Sequence, residues 1–212
     1  MTQPQRDRYD KLGESVVKAL RSRHFEACYC PDAESAKQKL LEWVPQEDTV
    51  AWGGSQTLDE LGAQAMLRAR GQKLIDRDTA KTPEERNALM HAALSADTFL
   101  MSSNAITEDG QLVNMDGNGN RVAALIYGPK SVIVVAGLNK IAKNLDAAIA
   151  RVRGTAAPTN AQRFPVNTPC KITGECADCK SVDCICANMV ITRVSRPAGK
   201  VKVILVGEDL GM

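Results

Sequence analysis

The sequence predicts a Rossmann-like α/β fold, in which a mainly parallel sheet carries helices on both faces. Three observations lead there. Short apolar runs alternate with helix-periodic stretches as far as residue 153, the pattern that parallel βαβ units leave in a chain. Thr49 to Trp52, then Gly53-Gly54-Ser55, then a helical stretch reads as strand, glycine loop and helix. Ser131 to Ala136, SVIVVA, has the continuous apolar character of a strand covered on both sides.

Each element has its own signal. Leu12, Val16, Val17 and Leu20 recur at helical spacing and predict an amphipathic helix over Tyr9 to Leu20. Phe25 to Cys30 is a strand, broken by Pro31-Asp32, with Asp32 the N-cap of a helix running to about Val44. After the Thr49 strand, Leu58, Leu61, Ala65 and Leu67 mark the apolar face of one helix. Lys73 to Ile75 is a short strand. Thr82-Pro83-Glu84-Glu85 then opens a helix to about Leu94, with a hydroxyl cap, proline at the first position and Glu three residues on. Thr98 to Met101 is a strand, and a short helix follows near Val122 to Ile126. Ile141, Leu145, Ile149 and Val152 predict a helix from Asn139 that ends at Gly154. After Ala157 we expect a loop, a cysteine cluster at 168–188 and strands at Met189 to Thr192 and Val201 to Val206. The last of these is expected near a sheet edge, open to a second chain or covered by its own.

Size and charge narrow the function. The 212 residues fit one domain over 1–212 with a substantial core. With 27 basic and 25 acidic residues and a net charge of +2, there is no field to attract nucleic acid, and the few aromatics are not interleaved with Lys or Arg. No apolar run reaches the ~20 residues of a membrane span, and the N-terminus MTQPQRDRYDKLGE has no apolar signal core. We therefore expect a cytoplasmic protein without nucleic-acid or membrane partners.

Two loops are candidate ligand sites, because in open α/β sheets ligands sit beyond the carboxyl ends of strands. Gly53, Gly54, Ser55 and Thr57 offer helix-start amides and hydroxyls to an anion. The alternative is a tight turn with Ser55 or Thr57 as N-cap. The loop lacks both the dinucleotide glycine fingerprint and a phosphate-loop lysine, so no nucleotide cofactor follows. The second loop is Ser102 to Arg121, SSNAITEDGQLVNMDGNGNR, with a turn at Asp109-Gly110 and a return strand starting at Leu112-Val113. Its Asn104, Thr107, Asn114, Asp116, Gly117, Asn118, Gly119, Asn120 and Arg121 suit a small polar or anionic ligand, or a hairpin whose Asn and Asp side chains satisfy their own backbone. Calcium is excluded because the bidentate Glu of a calcium loop is absent at its proper distance.

Cys170, Cys176, Cys179, Cys184 and Cys186 fall within seventeen residues. Thiolates this dense in a reducing compartment are relieved by a soft metal, zinc or an iron–sulfur cluster, although the pattern matches neither a zinc ribbon nor the ferredoxin run. The alternative is an unmetallated, packed or oxidised group. Cys28 and Cys30 alternate along a strand and read as buried filler, while Trp52, immediately before Gly53, reads as core or as a wall of the same pocket. His24 and His91 sit on helical segments without catalytic neighbours and read as surface or packing residues.

WGGSQTLDELG, the Ser102 to Gly137 block with the NKI that follows, RGTAAPTNAQR and the terminal cysteine run together resemble the LUD-domain family of bacterial lactate utilisation, over about Leu12 to Val206. The chain is similar to the stand-alone branch with a cysteine-rich C-terminus. The resemblance implies a three-layer α/β sandwich like the NagB/RpiA/CoA-transferase group. It also implies a role near oxidation of L-lactate to pyruvate, with a small organic anion as ligand and iron–sulfur proteins as partners. It supplies no catalytic residue. The second reading is a non-enzymatic metal-binding or iron–sulfur module that docks a redox partner.

Overall fold

The computed structural model describes residues 1–212. In chain order, α1 (Gln3–Ser22) leads to β1 (Glu26–Cys30), α2 (Ala33–Trp43) and β2 (Thr49–Trp52). Asp32 caps α2 as expected, its carboxylate accepting from the Ser35 amide at 2.8 Å. The single helix expected after β2 is instead two, α3 (Gln56–Leu61) and α4 (Ala63–Ala69), because Gly62 adopts φ 70° and turns the chain between them. Ala65 consequently faces solvent, and Ala63 takes the core position.

Then come β3 (Lys73–Ile75), α5 (Pro83–Ala92, capped by Thr82), β4 (Thr98–Met101), β5 (Ala105–Thr107), β6 (Leu112–Asp116), α6 (Asn120–Ile126) and β7 (Ser131–Gly137). The helix expected from Asn139 begins later. Leu138–Lys140 is a 3-10 turn, Ile141–Ala142 forms β8, and Asn144 caps α7 (Leu145–Arg151) by accepting from the Ala147 amide at 2.9 Å. Gly154 does not end it: with no left-handed φ, it lies inside a π-helical turn, Val152–Ala156, that runs on into α8 (Ala157–Ala161). The segment beyond holds α9 (Pro169–Thr173), β9 (Asn188–Thr192) and β10 (Val201–Val206).

The main sheet is wholly parallel in the order β1-β10-β7-β4-β2-β3, and a smaller mixed sheet runs β8-β5-β6-β9. β10 is thus an interior strand, paired with both β1 and β7, not the edge anticipated; the edges are β1 and β3. Side chains alternate across the sheet. One face, with Phe99, Val132, Val134 and Val203, packs on α1 and α6; the other, with Leu100, Ile133, Val135 and Ile204, packs on α2, α3 and α4. Cys30 and Trp52, the latter 2% exposed, are buried in the second of these layers as expected, whereas Cys28 packs against it only half-buried. His24, expected on a helix, sits in the turn after α1 at φ 63°. No helix is long and apolar enough to cross a membrane.

Candidate functional site

β2 and β4 are neighbours and parallel, so the loops that follow them leave the sheet side by side, tied by the Gly53 amide to the Leu100 carbonyl at 3.0 Å. At Gly53 a side chain would put its Cβ 2.9 Å from the Arg121 Cγ and Cδ, so glycine there lets the arginine pass. Ser55 acts as the N-cap of α3, its hydroxyl accepting from the Leu58 amide at 3.3 Å.

The second loop is a hairpin of β5 and β6, with its turn at Asp109-Gly110 held to α1 by an Arg23–Asp109 ion pair. Thr107 belongs to this turn: its hydroxyl accepts from the Gln111 amide at 2.8 Å and donates to Asp109, well away from the cleft. The other end is organised by Arg121. Its Nη1 donates to the Ser102 carbonyl (2.9 Å) and Asn114 Oδ1 (2.7 Å), and its Nη2 to Asn104 Oδ1 (2.9 Å) and the Met115 carbonyl (2.7 Å). Its Nε lies 3.6 Å from Asp116 Oδ2. Asp116 also accepts from the Gly119 and Val122 amides, capping α6. The buried guanidinium is therefore spent on shaping the hairpin.

Between the two loops lies a cleft of about 670 Å³. Gly54, Ser55, Thr57, Asn104, Asp116, Gly117, Asn118, Asn120 and Arg121 line it; Gly53, Thr107, Asn114 and Gly119 do not. Five cations, Arg77, Arg86, Arg121, Lys140 and Arg163, face it against two carboxylates, Asp116 and Asp183. Arg86 and Arg163 are paired outside the cleft with Asp78 and Asp59. Arg77 is different. It lies over Gly54, its Nε is buried without a hydrogen-bond partner, and the nearest carboxylate oxygen, of Asp78, is 3.8 Å away. Burial lowers its pKa, opposed by the negative charges of Asp78, Asp116 and Asp59, none of which accepts a hydrogen bond from the guanidinium.

Lys140 is 4% exposed, and its amine donates to Thr57 Oγ1 (2.7 Å) and Ser102 Oγ (3.0 Å) with no carboxylate in reach. Burial, then the positive charges of Arg151 and Arg121, lower its pKa from 10.5 to about 7. A buried amine of this kind has the chemistry to pair with an anion when protonated and to exchange a proton near neutrality.

The five C-terminal cysteines are brought together. All are unpaired and line one cavity of about 220 Å³, although no three are placed to hold a single ion. Burial, then the neighbouring thiols, push the Cys186 pKa up to about 12.

The LUD domain model matches residues 13–206 of this sequence. The chain belongs to the LUD-domain family. At the level of the family, this supports a role related to lactate utilisation. The fold is similar to that of a DUF162 family protein from Deinococcus radiodurans, with TM-score 0.54 and 12% identity over 93% of this chain and 98% of that one. The delta subunit of eIF2B from Chaetomium thermophilum aligns with TM-score 0.30 and 20% identity over 68% of this chain and 57% of that one. No curated protein matches.

In this LUD domain, Arg77, Arg86, Lys140 and Arg163 escaped the sequence reading. Arg77 lies in a stretch that carries no motif, Arg86 in a helix, and Lys140 and Arg163 in the NKI and RGTAAPTNAQR blocks, whose signal was the family resemblance; the fold carries all four to one cleft. Lys140 had a second signal available: it follows the most apolar strand, β7, at the carboxyl end where such sheets hold ligands.

Proposed function

We propose that this LUD-domain protein is a component of organic-acid metabolism, on the path between L-lactate and pyruvate, that binds a small carboxylate between the Gly53 loop and the Asn104–Arg121 hairpin. The observation that carries the reading is the Arg77 guanidinium, buried over Gly54 with an unpartnered Nε in a cleft of net positive lining. A carboxylate supplies the acceptors this fork lacks and matches its planar geometry. Lys140 adds the second charge, with Thr57 and Ser102 holding its amine in place. Arg121 shapes the wall and does not grip the ligand.

Calorimetric titration with L-lactate, pyruvate and a sugar phosphate, on the parent protein and on Arg77→Met and Lys140→Met, tests this. A charge-assisted contact is worth about 1.5–3 kcal/mol, so each variant should bind roughly tenfold or more weakly. No binding of any of the three anions to the parent, or equal affinities in all three proteins, overturns the reading.

A further inference from the structure

The carboxylate cleft leaves one chemical feature of the chain unused. Cys170 on α9, Cys176 and Cys179 in the loop after it, and Cys184 and Cys186 on the approach to β9 all face the same cavity of about 220 Å³. Three separate pieces of chain thus deliver thiols to one space. None is oxidised to a disulfide.

The spacing of these thiols discriminates between the soft-metal sites that could use them. A single tetrahedral zinc binds its thiolates at about 2.3 Å, so its ligand sulfurs crowd around one point with no void among them. Here no three ligating side chains converge on one point, and the space between them is large enough for several water molecules. A polynuclear cluster has the opposite demand: its thiolates are divided among two or more irons, and the inorganic core fills the space between. We propose that this cavity is an iron–sulfur cluster site, with four of the five cysteines as ligands.

The surroundings match the chemistry. The remaining wall is mainly apolar, including Met115, Pro158, Ile185 and Met189, and it is open to solvent on the side of Cys176 and Met189. Donors already address three of the sulfurs. The Cys186 amide donates to Cys184 Sγ at 3.4 Å, the Thr168 hydroxyl lies 3.3 Å from Cys170 Sγ, and Arg153 Nη2 lies 3.8 Å from Cys176 Sγ. Such contacts stabilise thiolates and tune a cluster's potential. Met115, Cys184 and Ile185 line both this cavity and the carboxylate cleft, so the cluster would lie directly behind the cleft wall. The inference stands on the cysteine cavity alone and does not depend on what the cleft binds.

The full chain, produced with iron and sulfide in supply and purified without oxygen, is assayed for iron, acid-labile sulfide and zinc, with electron paramagnetic resonance after dithionite reduction. Expected are iron and sulfide in equal amounts, more than one of each per chain, and a reducible paramagnetic signal. Single Cys→Ser variants at the five positions should lose most of the iron in four cases and keep it in one, while Cys28→Ser, outside the cavity, keeps it. Circular dichroism establishes that the variants are folded. Stoichiometric zinc without sulfide overturns the proposal, as does iron-free protein with five titratable thiols after anaerobic reconstitution, or iron retained by all five variants.

Discussion

Replacing Lys140 with Met should make the protein more stable and less able to bind an anion, and the gain should depend on pH in a defined way. In the unfolded chain the amine titrates at 10.5; in the fold it titrates at about 7. Between those values the unfolded state holds a proton that the folded state has released, so native stability rises with pH from 7 to 10.5, and the full penalty applies below 7. At 1.36 kcal/mol per unit, burying this lysine costs the fold about 4 kcal/mol at pH 7 and about 2 at pH 9. Methionine removes that cost at similar volume. It also forfeits the bonds to Thr57 and Ser102, at about 1 kcal/mol each. Neither hydroxyl is stranded, since they retain the Leu210 and Ser103 carbonyls as acceptors. The net expectation at pH 7 is stabilisation by roughly 2 kcal/mol, shrinking to about zero at pH 9. Urea unfolding at pH 6, 7, 8 and 9 measures it. A variant less stable than the parent at pH 7, or a difference independent of pH, would refute the reasoning.

Three further outcomes follow from the packing. Gly53→Ala drives a Cβ into Arg121, whose guanidinium is too tightly held to yield; a stability loss of about 1–3 kcal/mol and weaker anion binding are expected by urea unfolding and calorimetry. Gly110→Ala combines a left-handed φ of 87° with a Cβ 2.8 Å from the α1 backbone at Ala19 and Leu20, so at least about 2 kcal/mol should be lost, with faster hydrogen exchange in β5 and β6. Phe99→Ala empties the middle of the layer under α1 and should cost about 3–5 kcal/mol by chemical denaturation, without shifting the pH dependence of anion binding.

Much of the scaffold was legible because its signals are local. β2, β3, β4 and β10 keep the boundaries their apolar runs suggest, and Asp32 and Thr82 cap their helices through a hydroxyl or carboxylate three residues from its amide partner. The parallel α/β class followed from alternation alone. Errors arose where one local signal had two outcomes. Gly62 bends the chain into α4 while Gly154 stays helical, and nothing adjacent distinguishes the two. Asn139 and Asn144 are equally good caps in sequence, but residues 141 and 142 are drawn into pairing with β5, which leaves the role to Asn144. The cleft was half legible. Its loops were visible from glycine and asparagine content, yet the sole arginine of the hairpin proved to be its internal brace, and the cations without a hydrogen-bonded carboxylate are Arg77 and Lys140, 63 residues apart in the chain and brought to one cleft only by the fold.

β10 enters the main sheet between β1 and β7, although every other strand of that sheet precedes it in the chain. During synthesis, β1 therefore has no partner until residues 201–206 have left the ribosome, and the apolar edge of β7 waits open beside it. Until then the nascent chain is a split sheet with a strand-wide gap, the kind of edge that recruits chaperones or another molecule's strand. The Val201–Val206 segment acts as the latch, and its arrival joins the lone β1 to the four strands β7, β4, β2 and β3.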